Sequence, residues 1–146
     1  MLRSALASTA LALSVLIAPT LAQAPAAITV YKSPTCGCCA KWVEHMKKAG
    51  FAVTVNDVPN VGEVKMANGV PAPLASCHTA LAGGYVIEGH VPADVVQKLL
   101  KEKPAVAGLA VPGMPMGSPG MEGASADHYD IVAFEKSGKQ RVFASR

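Results

Sequence analysis

Apolar positions along the chain recur in two alternating periods, which predicts a mixed α/β fold. Ile28 to Tyr31 is a β-rich run broken by Ser33 and Pro34, and a first strand ends there. From Cys39 the period lengthens: Trp42, Val43, Met46 and Ala49 share one helical stripe, with Lys41, Glu44, His45, Lys47 and Lys48 on the other, and Gly50 supplies the stop. Phe51 to Val55 alternates as a second strand, and Val61 to Ala67 reads as a short helix closed by Asn68, Gly69 and Pro71. Thr79–Leu81 and Tyr85–Ile87 flank Ala82, Gly83 and Gly84 as a hairpin. Pro92 opens a further helix, whose buried face is Val95, Val96, Leu99 and Leu100 and whose break is Pro104.

Strand, helix, strand, helix, strand, strand, helix is the thioredoxin-like order, with a reactive Cys-x-x-Cys at the first strand-to-helix turn. The rest of the chain departs from it. Val111 to Gly123 reads as a Pro/Gly/Met-rich loop, and Tyr129–Phe134 with Gln140–Phe143 as a C-terminal β-hairpin around Ser137 and Gly138. Met46 and Met66 are assigned to packing, and His45 to an exposed helix face.

The chain has 146 residues, 51% of them hydrophobic, but its start is compositionally distinct. Arg3, an apolar stretch from Ala5 to Ala18, then Pro19, Thr20, Leu21 and Ala22 read as a secretory signal peptide over residues 1–22, cut after Ala22. Cleavage after Ala24 also fits the small-residue pattern, with Pro25 then following the cut. The alternative is a retained membrane anchor, disfavoured because the apolar run is shorter than the ~20 residues that span hydrocarbon; no later segment is expected to span a bilayer, so no membrane span is expected after cleavage. What remains is an Ala/Pro linker at 23–27 and one domain at 28–146, periplasmic or otherwise exported. A net charge of +3, spread along the chain with few aromatics, argues against nucleic acid as a partner.

Export bears on the four cysteines, Cys36, Cys38, Cys39 and Cys77, because thiols in an oxidising space pair unless something occupies or reduces them. Vicinal Cys38 and Cys39 strain a mutual bridge. Cys36 with Cys39, or one of the cluster with Cys77, remains as a comfortable pairing. At a helix N-terminus the free N–H groups and the dipole stabilise thiolate. Dithiol exchange needs two cysteines, Cys36 outside and Cys39 one turn in. Cys38 is then surplus, and a third thiolate suits a soft metal such as Cu(I). One helical turn cannot wrap three sulfurs around a single ion without strain, so several bridged ions are expected.

Cys77 enters the third strand beside His78, and the loop there is expected to turn Cys77 toward the cluster; His78 points to the other side where strand alternation holds, whereas a loop conformation frees it. His90 lies between a strand end and a helix start. Met114, Met116 and Met121, separated by Gly and Pro, cannot form a helical core stripe and offer thioethers instead. Zinc is the competing metal, but the spacing fits no finger or ribbon and zinc has little use for methionine.

Cys36-Gly37-Cys38-Cys39, Ser76-Cys77-His78-Thr79, Glu88-Gly89-His90-Val91-Pro92 and the run Gly113 to Glu122 together resemble the CopG-type periplasmic copper-resistance proteins, over nearly all of Ile28 to Phe143. The resemblance implies a thioredoxin-like fold, a cysteine-bridged multicopper cluster and periplasmic copper handling with Cu(I)/Cu(II) interconversion. By position it implies Cys36, Cys38, Cys39 and Cys77 as cluster ligands, with His90, Met114 and Met121 added. His78 and Met116 are secondary candidates.

The expected function is therefore copper binding in the service of copper resistance, by sequestration, transfer or redox conversion. Copper ions and periplasmic copper-handling proteins are the expected partners. Two alternatives stand beside it: a thiol-disulfide oxidoreductase with Cys36 as nucleophile and Cys39 as resolving thiol, and a copper chaperone docking through the Met loop.

Overall fold

Local patterning sets the element order, and strand pairing joins the elements into one sheet. The computed structural model describes residues 24–146. The chain runs β1 (Ala27–Lys32), α1 (Gly37–Lys48), β2 (Ala52–Asp57), α2 (Val61–Ala67), a 3-10 turn (Ala72–Leu74), β3 (Thr79–Ala82) and β4 (Tyr85–Glu88). It continues as α3 (Ala93–Glu102), β5 (Gly108–Ala110), β6 (Asp130–Phe134) and β7 (Gln140–Ser145). The signal peptide assigned to residues 1–22 lies outside the described residues. Among the described residues no helix is long and apolar enough to cross a membrane.

The sheet order is β2-β1-β3-β4-β5-β6-β7. β1 is parallel to β2 and β4 to β5; the remaining neighbours are antiparallel. Alternation within strands divides the core in two. Ile28, Val30, Ala80, Ile87 and Leu109 meet Trp42, Val43 and Met46 of α1 and Val95, Val96 and Leu99 of α3 in one buried cluster. Leu74, Val86, Ala110 and Phe134 form a second, and Lys65 of α2 bonds to Glu88, two residues after Val86 and so on the same face of β4. The expected strand and helix order is met, and the terminal hairpin extends the same sheet.

Four departures from the patterning have physical causes. α1 begins at Gly37, before its apolar stripe, because Cys36 takes the N-cap position and its sulfur accepts from the Cys39 N–H at 3.3 Å. β5 has three residues, too few to show a period. It needs glycine at Gly108, where a Cβ would lie 2.2 Å from the Val86 carbonyl oxygen. Met66, assigned to packing, is 75% exposed, since the short α2 has no fully buried residue. His45, assigned to an exposed face, is half-buried and its Nε2 accepts from the Ala93 N–H at 3.0 Å.

That last contact replaces a missing cap. Pro92, the N-cap of α3, offers no side-chain acceptor, so α1 caps α3 in trans. Burial, partly opposed by Glu122 and Asp94, lowers the His45 pKa and keeps the ring neutral enough to accept. A neutral form favoured by folding adds stability that is complete above the ordinary imidazole pKa of ~6.5 and is lost as pH falls through the lowered value. His45→Ala is expected to cost about 0.5–2 kcal/mol. Denaturant unfolding of the metal-free chain should show this gap from wild type near neutral pH and its narrowing toward about pH 5; a gap that widens in acid contradicts the assignment.

Candidate metal centre

Three of the four thiols sit on the first turn of α1 because the N-cap falls on Cys36. Cys36 and Cys39 are joined as a disulfide, their Cα atoms 5.3 Å apart, which realises one of the two pairings the spacing permits. Cys39 is fully buried and Cys36 half-buried. Cys38 keeps a free thiol, 3.5 Å from the Cys36 sulfur. The Cys77 sulfur completes the group: all four Sγ atoms lie within 4.8 Å of one another.

Cys77 is also the centre of a second convergence. Its Sγ lies 2.9 Å from His90 Nε2 and 3.6 Å from His78 Nδ1, and these three residues form a ligand-spaced group of their own. Of the two placements open to His78, the loop one is realised, beside Cys77. β3 begins only at Thr79, so strand alternation does not reach back to His78. Both imidazoles are fully buried, and His78 Nε2 and His90 Nδ1 have no hydrogen-bond partner. Burial lowers the pKa of both, for His78 well below the usual value, with His90, Lys65 and Lys32 adding to it. Two neutral imidazoles therefore stand beside a thiol, ready to donate lone pairs.

The Met loop closes the outer side. Met114, 50% exposed, accepts from the Cys38 thiol through its Sδ at 4.0 Å. Gly120 seats the loop on α1: a Cβ there would lie 2.6 Å from the Cys38 carbonyl oxygen and 3.1 Å from the Trp42 nitrogen. Met121 is half-buried next to that contact. Met116 turns to Gly123, where an added Cβ would meet its Cε at 2.6 Å, and its N–H donates to Asp127. The structure thus gathers Cys36, Cys38, Cys39, Cys77, His78, His90 and Met114, and places Met116 and Met121 in the covering loop.

Sequence reasoning missed what holds these pieces. Trp42 donates from Nε1 to the Val91 carbonyl at 2.9 Å and its ring packs against His78 at a tilt of 46°, centroids 4.3 Å apart. Glu88, fully buried, accepts from Lys65 Nζ at 2.5 Å, the Ser76 N–H at 2.6 Å and the Thr79 hydroxyl at 2.7 Å. A buried carboxylate persists when its lone pairs are matched in this way. The available signal was an acidic residue ending the otherwise apolar run Tyr85–Ile87.

With the Cys36–Cys39 disulfide reduced, four cysteine sulfurs, one thioether and two neutral imidazoles would form a soft donor set that could hold a metal ion. A family model described as a protein of unknown function, DUF411, matches residues 74–121. Two solved structures match most of the chain: "Copper resistance protein copG" in a form 2, at TM-score 0.80, and in a form 1, at TM-score 0.79. Each is 44% identical to this chain, and each match covers 84% of this chain and 98% of the other. Among curated proteins nothing matches.

Burial, reinforced by the neighbouring Cys38, pushes the Cys77 thiol up to about 11. Metal coordination requires the thiolate, so binding displaces a proton from Cys77 at any pH near neutrality. Apparent affinity for a soft metal is expected to rise by about tenfold per pH unit on account of this thiol. Competition titrations between about pH 6 and about pH 8 should show it, with Cys77→Ser reducing the slope by one proton. An unchanged slope in that variant contradicts the role given to Cys77.

Proposed function

The chain belongs to the CopG family of copper resistance proteins, and from that premise we propose that it is an exported protein that holds Cu(I) in a thiolate-bridged, multinuclear site. The supporting observation is the convergence of Cys36, Cys38, Cys39 and Cys77 within 4.8 Å, flanked by two buried imidazoles with unpartnered nitrogens. Reduction of the Cys36–Cys39 disulfide by an external dithiol, which takes over the disulfide bond as two electrons and two protons pass to the protein, frees two thiols and with Cys38 and Cys77 makes four. Their thiolates would carry the metal, with His90, His78 and Met114 completing coordination and Met121 and Met116 further out. Copper resistance then follows by sequestration, transfer or Cu(I)/Cu(II) conversion, and bound copper protects the thiols from oxidation in the periplasm. The domain assignment is part of the same reading: a signal peptide at 1–22, a linker at 23–27 and a thioredoxin-like copper-binding domain at 28–146.

A second reading has its own supporting observation. The disulfide joins the half-buried Cys36 to the buried Cys39, the arrangement of an attacking and a resolving thiol. Under that reading the chain exchanges disulfides with other exported proteins.

Cys38 separates the two. Anaerobic Cu(I) titration of the reduced residues 23–146, with elemental analysis, is expected to saturate above one ion per chain. Cys38→Ser is expected to lower that number while leaving dithiol exchange with a small disulfide intact. Reduced protein that retains no copper would sink the main reading. Full copper retention with lost exchange in Cys38→Ser would reverse the assignment of that thiol.

A further inference from the structure

The Ser76 side chain lies where three segments of the centre meet, and the copper-binding reading gives it no role. Its N–H donates to buried Glu88 at 2.6 Å. Its hydroxyl donates to the Gly113 carbonyl at 2.5 Å, one residue before Met114. Glu88 is itself fixed by Lys65 and Thr79. The fit around Ser76 is close: a Cβ on Gly89 would lie 2.5 Å from its Oγ and 2.7 Å from the Val111 carbonyl oxygen. Gly89 runs at φ +70°, in the region that favours glycine, so the backbone can pass against this serine.

The Met loop needs such a tie. It is built from Gly and Pro, and at its far end the Gly120 backbone rests directly on α1. At its near end the Ser76 hydroxyl links Gly113 to the loop carrying Cys77. Met114 is half-exposed, so burial does little to fix its sulfur. A thioether contributes to a soft ion only when held within reach.

We infer that Ser76, anchored by Glu88, is a positioning residue that sets the Met114 thioether over the thiols and thereby gives the centre its preference for Cu(I) over Zn(II). This rests on the copper-binding reading above. Thioether sulfur favours Cu(I), whereas Zn(II) takes thiolate and imidazole and gains little from methionine. Loss of the tie therefore weakens one metal and spares the other, a signature that general loosening of the fold does not produce.

The experiment compares wild type, Ser76→Ala, Met114→Leu and the double variant, each reduced and loaded with Cu(I) or Zn(II). Release is followed to bathocuproine disulfonate for Cu(I) and to a chromogenic zinc chelator for Zn(II). Ser76→Ala is expected to speed Cu(I) release by about 2- to 10-fold, the scale of one hydrogen bond, with Zn(II) release unchanged. The double variant should release Cu(I) no faster than Met114→Leu, because the serine acts through that thioether. Independent effects in the double variant, equal acceleration of both metals, or a wild-type Cu(I) rate in either single variant overturns the inference. Failure of reduced wild type to hold Cu(I) at all is a different result. It would remove the copper reading itself, and this inference with it.

Discussion

Trp42 is the side chain on which the geometry of the centre depends. It is fully buried, three residues after Cys39 and therefore on the same helical face. Its indole nitrogen holds the carbonyl of Val91, next to His90, and its ring lies against His78, next to Cys77. Its backbone nitrogen faces Gly120 of the Met loop. One aromatic residue thus touches every segment that brings a ligand candidate. An indole suits this position because it combines a large apolar body with a single directed donor. A smaller residue would leave both a cavity and an unpaired carbonyl beneath the site.

Metal-free, this arrangement carries a cost. Unpartnered buried nitrogens on His78 and His90 forfeit hydration without a compensating bond, about 1–3 kcal/mol each by the usual scale for such groups. The half-buried Cys77 thiol resists ionisation. Surrounding packing maintains these groups in place, so the cost is met by the fold before any ion arrives. Coordination then spends little on assembling ligands. Glu88 with Lys65, Thr79 and Ser76 belongs to the same economy, since its matched partners keep a charge inside the protein without leaving any of it unanswered.

Much of this was legible from residue order, and the parts that were not share a cause. Periodicity located α2 at Val61–Ala67 and the β3–β4 hairpin, because each element is written in local spacing. The cysteine run marked the first turn of α1, and Gly89 with Pro92 marked the bend that carries His90. β5 escaped notice because three residues carry no period and its glycine is required by a neighbour distant in sequence, Val86. The side taken by His78 stayed open because it depends on whether β3 begins before or after it, and β3 begins at Thr79. His45 looked exposed because its partner, the Ala93 N–H, lies 48 positions away. Glu88 and Ser76 were visible inside matching motifs, yet nothing local indicates that one grips the other. Local patterns state which elements form; long-range partners decide what a polar residue does.

β5 and β6 are antiparallel neighbours, with Ala110 paired to Val132, so the Met loop leaves the sheet and returns to it at adjacent positions. Its ends are pinned by strand pairing whatever lies between. The entropy of closing such a loop grows only slowly with length, and the sheet does not sense its contents. What constrains the loop is instead its contact with the rest of the centre, through Gly120 on α1 and Gly113 on Ser76. The half-exposed stretch around Met114 between those two points is the part of the centre with the most freedom to change without disturbing strand pairing.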